Sequence, residues 1–113
     1  MRADRAGYTA LMAFRMNFRD TEHSEVVQNE CEALAQGVRG EFPETSRVEV
    51  TVGHDRGEYE AHVHVTGKDI DLAASAKSRD SVLVAAREAF HKAHAQLRKH
   101  HDKAIFKHRR DRS

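Results

Sequence analysis

Cysteine occurs once in these 113 residues, as Cys31, and proline once, as Pro43. A single thiol excludes an internal disulfide framework and cysteine-rich zinc sites, and it fits a reducing cytosol. Long apolar runs are missing as well. None exceeds the stretch from Val82 to Ala86, whereas a helix needs about 20 apolar residues to cross a bilayer. The first residues, MRADRAGYTALMAF, hold basic side chains but no long apolar core and no cleavage site of the secretory type, so no leader is expected. Glycine-rich phosphate loops are lacking, since VRGEF and VTGKD both have the wrong spacing. No serine, histidine and acid arrangement stands out, HDRGE reads as a turn, and Cys31 lies on an apolar stripe as a small core residue. These absences leave no positive sign of an enzyme or of a cofactor.

Charge is present in quantity and unevenly placed. Residues 1–76 carry 8 Lys and Arg against 14 Asp and Glu, a net of −6, whereas residues 77–113 carry 11 against 4, a net of +7. A segregated positive region is either a surface for polyanions or a solvated helix with a basic end.

Periodicity orders the chain. AFRMNFRD alternates, with Phe14, Met16 and Phe18 on one side, and predicts a strand. Val27, Cys31, Leu34, Val38 and Phe42 then recur at helical spacing; Asp20, Thr21 or Ser24 is the candidate cap and Pro43 the stop. Three further alternating runs follow: Val48, Val50 and Val52; Tyr59, Ala61, Val63 and Val65; Ile70, Leu72 and Ala74. Short turns join them, so they read as an antiparallel meander. A last helix opens at Ser78 or Asp80, with Val82, Ala86, Ala89 or Phe90, Ala93 and Leu97 as its stripe, and continues to about Lys107. The expected fold is α+β: a βαβββα two-layer sandwich, a four-stranded sheet with both helices packed on one face and the other face wet. Residues 1–12 read as a flexible extension, with Met12 as a possible alternative start, 13–103 as the domain and 104–113 as a basic C-terminal tail.

RVEVTV, YEAHVHVTGKDIDLAA and AAREAFHKAHAQLRKH, taken in order, resemble the bacterial hibernation-promoting factor and ribosome-associated inhibitor family, also called ribosomal subunit interface proteins. Thr66-Gly67-Lys68 stands where that family has an NGK-like turn, and KAHAQLRKH echoes the end of its last helix. The resemblance covers roughly residues 13–103. It implies a non-catalytic factor that binds the small ribosomal subunit and its rRNA near the decoding region, and inhibits translation or preserves idle ribosomes under stress or in stationary phase. It implies a short, single-domain, cytoplasmic form, monomeric off the ribosome, without membrane or small-molecule partners. One departure stands out. Ribosome-binding members carry several lysines on the first helix; here that helix has Glu25, Glu30, Glu32 and Glu41, with Arg39 as its sole base. Either the second helix makes most of the contact, or the protein docks differently, or its partner has changed.

On the second helix Arg87, His91, His94, Arg98 and His101 fall at spacings of four, three, four and three, a continuous stripe, with Lys92, Lys99 and Lys103 on a flank. Such a rod can follow a phosphate backbone, releasing counterions at each Lys or Arg and recognising folded RNA by shape. With the resemblance, these eight residues become the candidate RNA contacts, and Lys107, Arg109, Arg110 and Arg112 a basic arm beyond them. Histidine ordinarily gains charge as pH falls through about 6.5, so tighter RNA binding on acidification is one expectation; neutral surface histidines are the alternative. Two other functions fit less of the sequence. A general double-stranded-RNA-binding module shares the architecture of a sheet backed by two helices. A histidine-based metal-binding protein would use His62 and His64, two apart on one strand, with Glu49, Asp69 or Asp71 nearby, although His54, His62 and His64 match no known metal motif.

Overall fold

A computed structural model describes the backbone of residues 13–112 and the side chains of residues 13–103. The expected N-terminal extension, and the side chains of the expected basic tail, lie outside the described residues. The elements run β1 (Ala13–Arg19), α1 (Glu25–Glu41), β2 (Thr45–Asp55), β3 (Glu58–Gly67), β4 (Ile70–Ser78) and α2 (Val82–Arg112). They form one four-stranded sheet in the order β1-β2-β3-β4. β1 pairs with β2 in parallel, Met16 opposite Val50, so the chain needs a crossover between them, and α1 supplies it. The other two pairings are antiparallel, Val50 opposite Val63 and Val63 opposite Ala74.

Each periodicity finds its use. Val48, Val50, Val52, Ala61, Val63, Val65, Ile70, Ala74 and Ala76 line one sheet face and are buried beneath the helices. Val27, Cys31, Ala35 and Val38 of α1 close the core over one half, with Leu34 half-buried beside them. Ala85, Ala86, Ala89, Phe90, Ala93 and Leu97 of α2 close it over the other. Four alanines among those six bring the α2 backbone close to the sheet. Past Leu97 no further described residue of the helix is buried, yet its backbone stays helical to Arg112, beyond the Lys107 end expected.

The ends and turns follow local chemistry. Ser24 caps α1, its hydroxyl accepting from the Val27 amide, and Pro43 follows the Phe42 C-cap. α2 is capped one residue after Asp80 and three after Ser78, the two caps predicted for it. The Ser78 hydroxyl takes the Asp80 amide in a turn, which leaves Ser81 to accept from the Val84 amide. The β2–β3 hairpin turns through Arg56 and Gly57, both at positive φ (53° and 81°), the two-residue geometry that matches strand twist. The β3–β4 turn rests on the α1–β2 connection: the Lys68 amide donates to the Glu44 carbonyl at 3.1 Å. Gly67 permits that approach, since a Cβ there would run into the Glu44 carbonyl and come within 2.9 Å of Thr45 Cα.

β4 is an edge strand, and α2 covers part of its exposed rim. Lys92 donates to the Ser75 carbonyl at 3.1 Å and Gln96 to the Ala73 carbonyl at 3.3 Å. Two side chains one helical turn apart thus satisfy two edge acceptors that another chain's strand could otherwise engage.

Two outcomes follow from this packing. Cys31 is 0% exposed, and burial, with a smaller push from Glu30, raises its thiol to about 11. Iodoacetamide at neutral pH is expected to leave the native protein unmodified and to alkylate it once urea unfolds the core; rapid labelling of the native form would overturn this placement. Gly67→Ala is expected to lose about 1–3 kcal/mol in urea denaturation through overpacking against backbone. Gly37→Ala, where an added Cβ meets nothing within 4 Å on a helix, is expected instead to gain up to ~1 kcal/mol.

Candidate nucleic-acid interface

α1 and α2 lie side by side on the sheet, so the flank of α2 facing α1 is fixed by the burial of Phe90, Ala93 and Leu97 on the turns beneath. That flank carries Arg87, His94, Arg98 and His101, and each meets an acid of α1 or of the loop after it. Arg87 Nε donates to Glu30 Oε2 at 3.1 Å. Glu41 is shared: His94 Nε2 lies 2.8 Å from one carboxylate oxygen and Arg98 Nη2 2.5 Å from the other. His101 Nδ1 lies 3.5 Å from Glu44 Oε2. Phe42 sits below these pairs, almost fully buried, with the rings of His94 and His101 edge-on to it at centroid distances of 5.6 and 5.8 Å.

Glu41 shows the effect of this clustering. The hydrogen bond to His94, helped by the charges of His94 and Arg98, holds its carboxyl below the ordinary range, against a weaker opposing effect of desolvation. The stability that the Glu41 carboxylate contributes is therefore fully present above the usual carboxylate range and is lost as pH falls through that lowered value. Between the Glu30 and Glu41 pairs the helices part over a shallow groove of about 420 Å³. Ala33, Leu34, Gly37, Val38 and Phe90 line its apolar part, and His91 stands at its edge.

The eight predicted contacts thus divide into three groups. Arg87, His94, Arg98 and His101 are half-exposed and ion-paired within the protein. Lys92 is turned toward the β4 rim. His91, Lys99 and Lys103 are exposed and make no ion pair or side-chain hydrogen bond to another described residue. Spacing alone located the stripe but not the individual partners, Glu30 and Glu41 of the acidic α1 and Glu44 after it. The available signal was the opposite sign of the two helices, which share one sheet face.

The open sheet face is also charge-compensated. Arg47 pairs with Glu49 at 3.4 Å and Lys77 with Glu60 at 3.6 Å. His62 and His64 project from this face, as alternation predicts. They do not converge: His64 Nε2 lies 2.7 Å from Asp71, and His62 is 3.6 Å from Glu60. Among the described residues no group of three or more His, Cys, Asp or Glu is arranged to hold a metal ion. Nor is any described helix long and apolar enough to cross a membrane.

Comparison with known proteins bears on what this seam belongs to. A ribosomal subunit interface protein from Coxiella burnetii has the same fold, with a TM-score of 0.73 at 18% identity, the match covering 80% of this chain and 99% of that one. The N-terminal domain of Thermus thermophilus Protein Y gives 0.69 at 11% identity, over 78% and 97% of the two chains. No curated protein sequence matches significantly. Residues 14–105, nearly the whole described domain, match the family described as Sigma 54 modulation protein / S30EA ribosomal protein. The chain belongs to that ribosome-associated, non-enzymatic family.

Proposed function

We propose that this protein is a non-catalytic ribosome-binding factor that docks on small-subunit rRNA near the decoding region, and that it inhibits translation or preserves idle ribosomes under stress by occupying that space. Family membership over residues 14–105 carries this reading. The surface of α2 is compatible with it. His91, Lys99 and Lys103 offer exposed positions, unpaired among the described residues, for first contact. The sequence sets Lys107, Arg109, Arg110 and Arg112 further along the same helix.

Arg87, His94, Arg98 and His101 join by exchange of partner. Exposed ion pairs contribute only about 0–1 kcal/mol each, so a phosphate presented in suitable geometry can replace a carboxylate on a guanidinium. Lys92 can exchange the Ser75 carbonyl in the same way. The protein acts in the cytoplasm in this reading and is monomeric off the ribosome. Val26 is the one strongly exposed large hydrophobic side chain among the described residues, so these offer no large apolar patch of the kind a self-interface uses. A general duplex-RNA binder fits less well, because Arg87 and Arg98 are already ion-paired and His94 and His101 already face carboxylates.

Sucrose-gradient sedimentation of extract at low salt tests the proposal. The protein is expected to travel with small subunits or whole ribosomes and to leave them at high salt. Lys99→Ala with Lys103→Ala is expected to weaken binding and to flatten the log–log salt dependence by about 1 per lysine. A protein that stays at the top of the gradient at low salt refutes the proposal.

A further inference from the structure

The cations on α2 and the carboxylates facing them meet across a seam that remains open to water. Resting on the rRNA reading above, we infer that Glu30, Glu41 and Glu44 are specificity determinants: they stand where phosphates would sit along α2 and withhold its cations from arbitrary RNA. A carboxylate and a phosphate present equivalent acceptor oxygens to a guanidinium, and arginine takes either in the same forked geometry. Arg87 on Glu30 and Arg98 on Glu41 therefore already hold the kind of ligand an RNA would bring.

The backbone that bears these acids cannot move aside when RNA arrives, so a displaced carboxylate stays close by. Val27, Cys31, Ala35 and Val38 pin α1 to the sheet, and Phe42 anchors the segment between Glu41 and Glu44 beneath His94 and His101. A phosphate run laid along this flank of α2 meets three carboxylates beside two arginines and two histidine rings, and like charges set side by side raise the free energy of the complex. An isolated duplex laid on this flank does not reach round to Lys99 and Lys103 on the opposite one to offset that repulsion. A shaped RNA cleft, which also reaches Lys99, Lys103 and the far end of α2, does. This is discrimination by a repulsive element built into the site.

Fluorescence anisotropy with a labelled RNA duplex, at low salt and one fixed pH, tests the inference. The full chain carrying Glu30→Gln, Glu41→Gln and Glu44→Gln is compared with the unsubstituted chain. Freeing two arginines and removing three negative charges is expected to tighten duplex binding about tenfold, and to steepen its log–log salt slope by about 2. Ribosome affinity, read by sedimentation, is expected to rise by a smaller factor. Duplex affinity within twofold of the unsubstituted chain, or an equal gain on ribosomes and duplex, overturns the inference. Circular dichroism establishes that the triple variant folds. If it does not, Glu30→Gln alone, remote from the Phe42 anchor, is expected to give part of the gain, and its failure to do so is equally decisive. The ribosomal reading fails separately, when the unsubstituted chain does not sediment with ribosomes, whatever the duplex result.

Discussion

The meeting of Glu41 with His94 and Arg98, above a buried Phe42, is the interaction on which the outer surface of this protein depends. Glu41 is the last residue of α1, where the helix dipole is negative and a carboxylate is unwelcome. Cations from α2 reverse that local balance, and Glu41 accordingly holds its charge to lower pH than an ordinary glutamate. The same contact steadies α2 where its core contacts run out. Leu97 is its last buried residue in the described part, and beyond it the helix meets the rest of the domain through His101, against Phe42 and Glu44. The seam therefore ties the polar half of a long helix to a domain whose core it no longer enters.

Such a seam has two opposing effects on binding an anion. Arginine and histidine side chains held by partners lose less rotamer freedom when a ligand arrives, which favours association. Their neutralisation also weakens the field that would steer a polyanion from a distance. Steering falls to cations outside the seam, and Lys99 and Lys103 are exposed on the other flank of the same helix. In the proposed reading, first encounter and final docking use different residues of one helix, and salt acts most strongly on the first.

Much of the architecture was legible because its periodicities are clean. Alternation put Val48, Val50 and Val52 on the buried face and His62 and His64 on the open one; the helical spacing of Val27, Cys31 and Val38 found the buried stripe of α1. Where local options were nearly equal, tertiary geometry chose: Ser81 rather than Ser78 or Asp80 caps α2, because Ser78 is drawn into a turn with Asp80. The state of the candidate cations was hidden for a different reason. Arg87 and Glu30 are 57 positions apart, and nothing local indicates that they touch. Lys92 looked like another phosphate contact, since no pattern on its own helix announces that β4 is an edge whose Ser75 carbonyl needs a donor.

The separation of core from seam explains how one fold can carry an altered charge pattern. The valines and alanines beneath the helices specify the layers by size and alternation alone, and such a core tolerates wide sequence change while volume and pattern are kept. Relatives at 18% and 11% identity with the same fold fit that tolerance. Glu30, Glu41 and Glu44 lie outside that pattern, at positions where the sheet imposes no residue type. A fold held from beneath leaves its outer helical face free to change sign, so the fold fixes where the cations stand while the acids opposite them govern which polyanions can reach them.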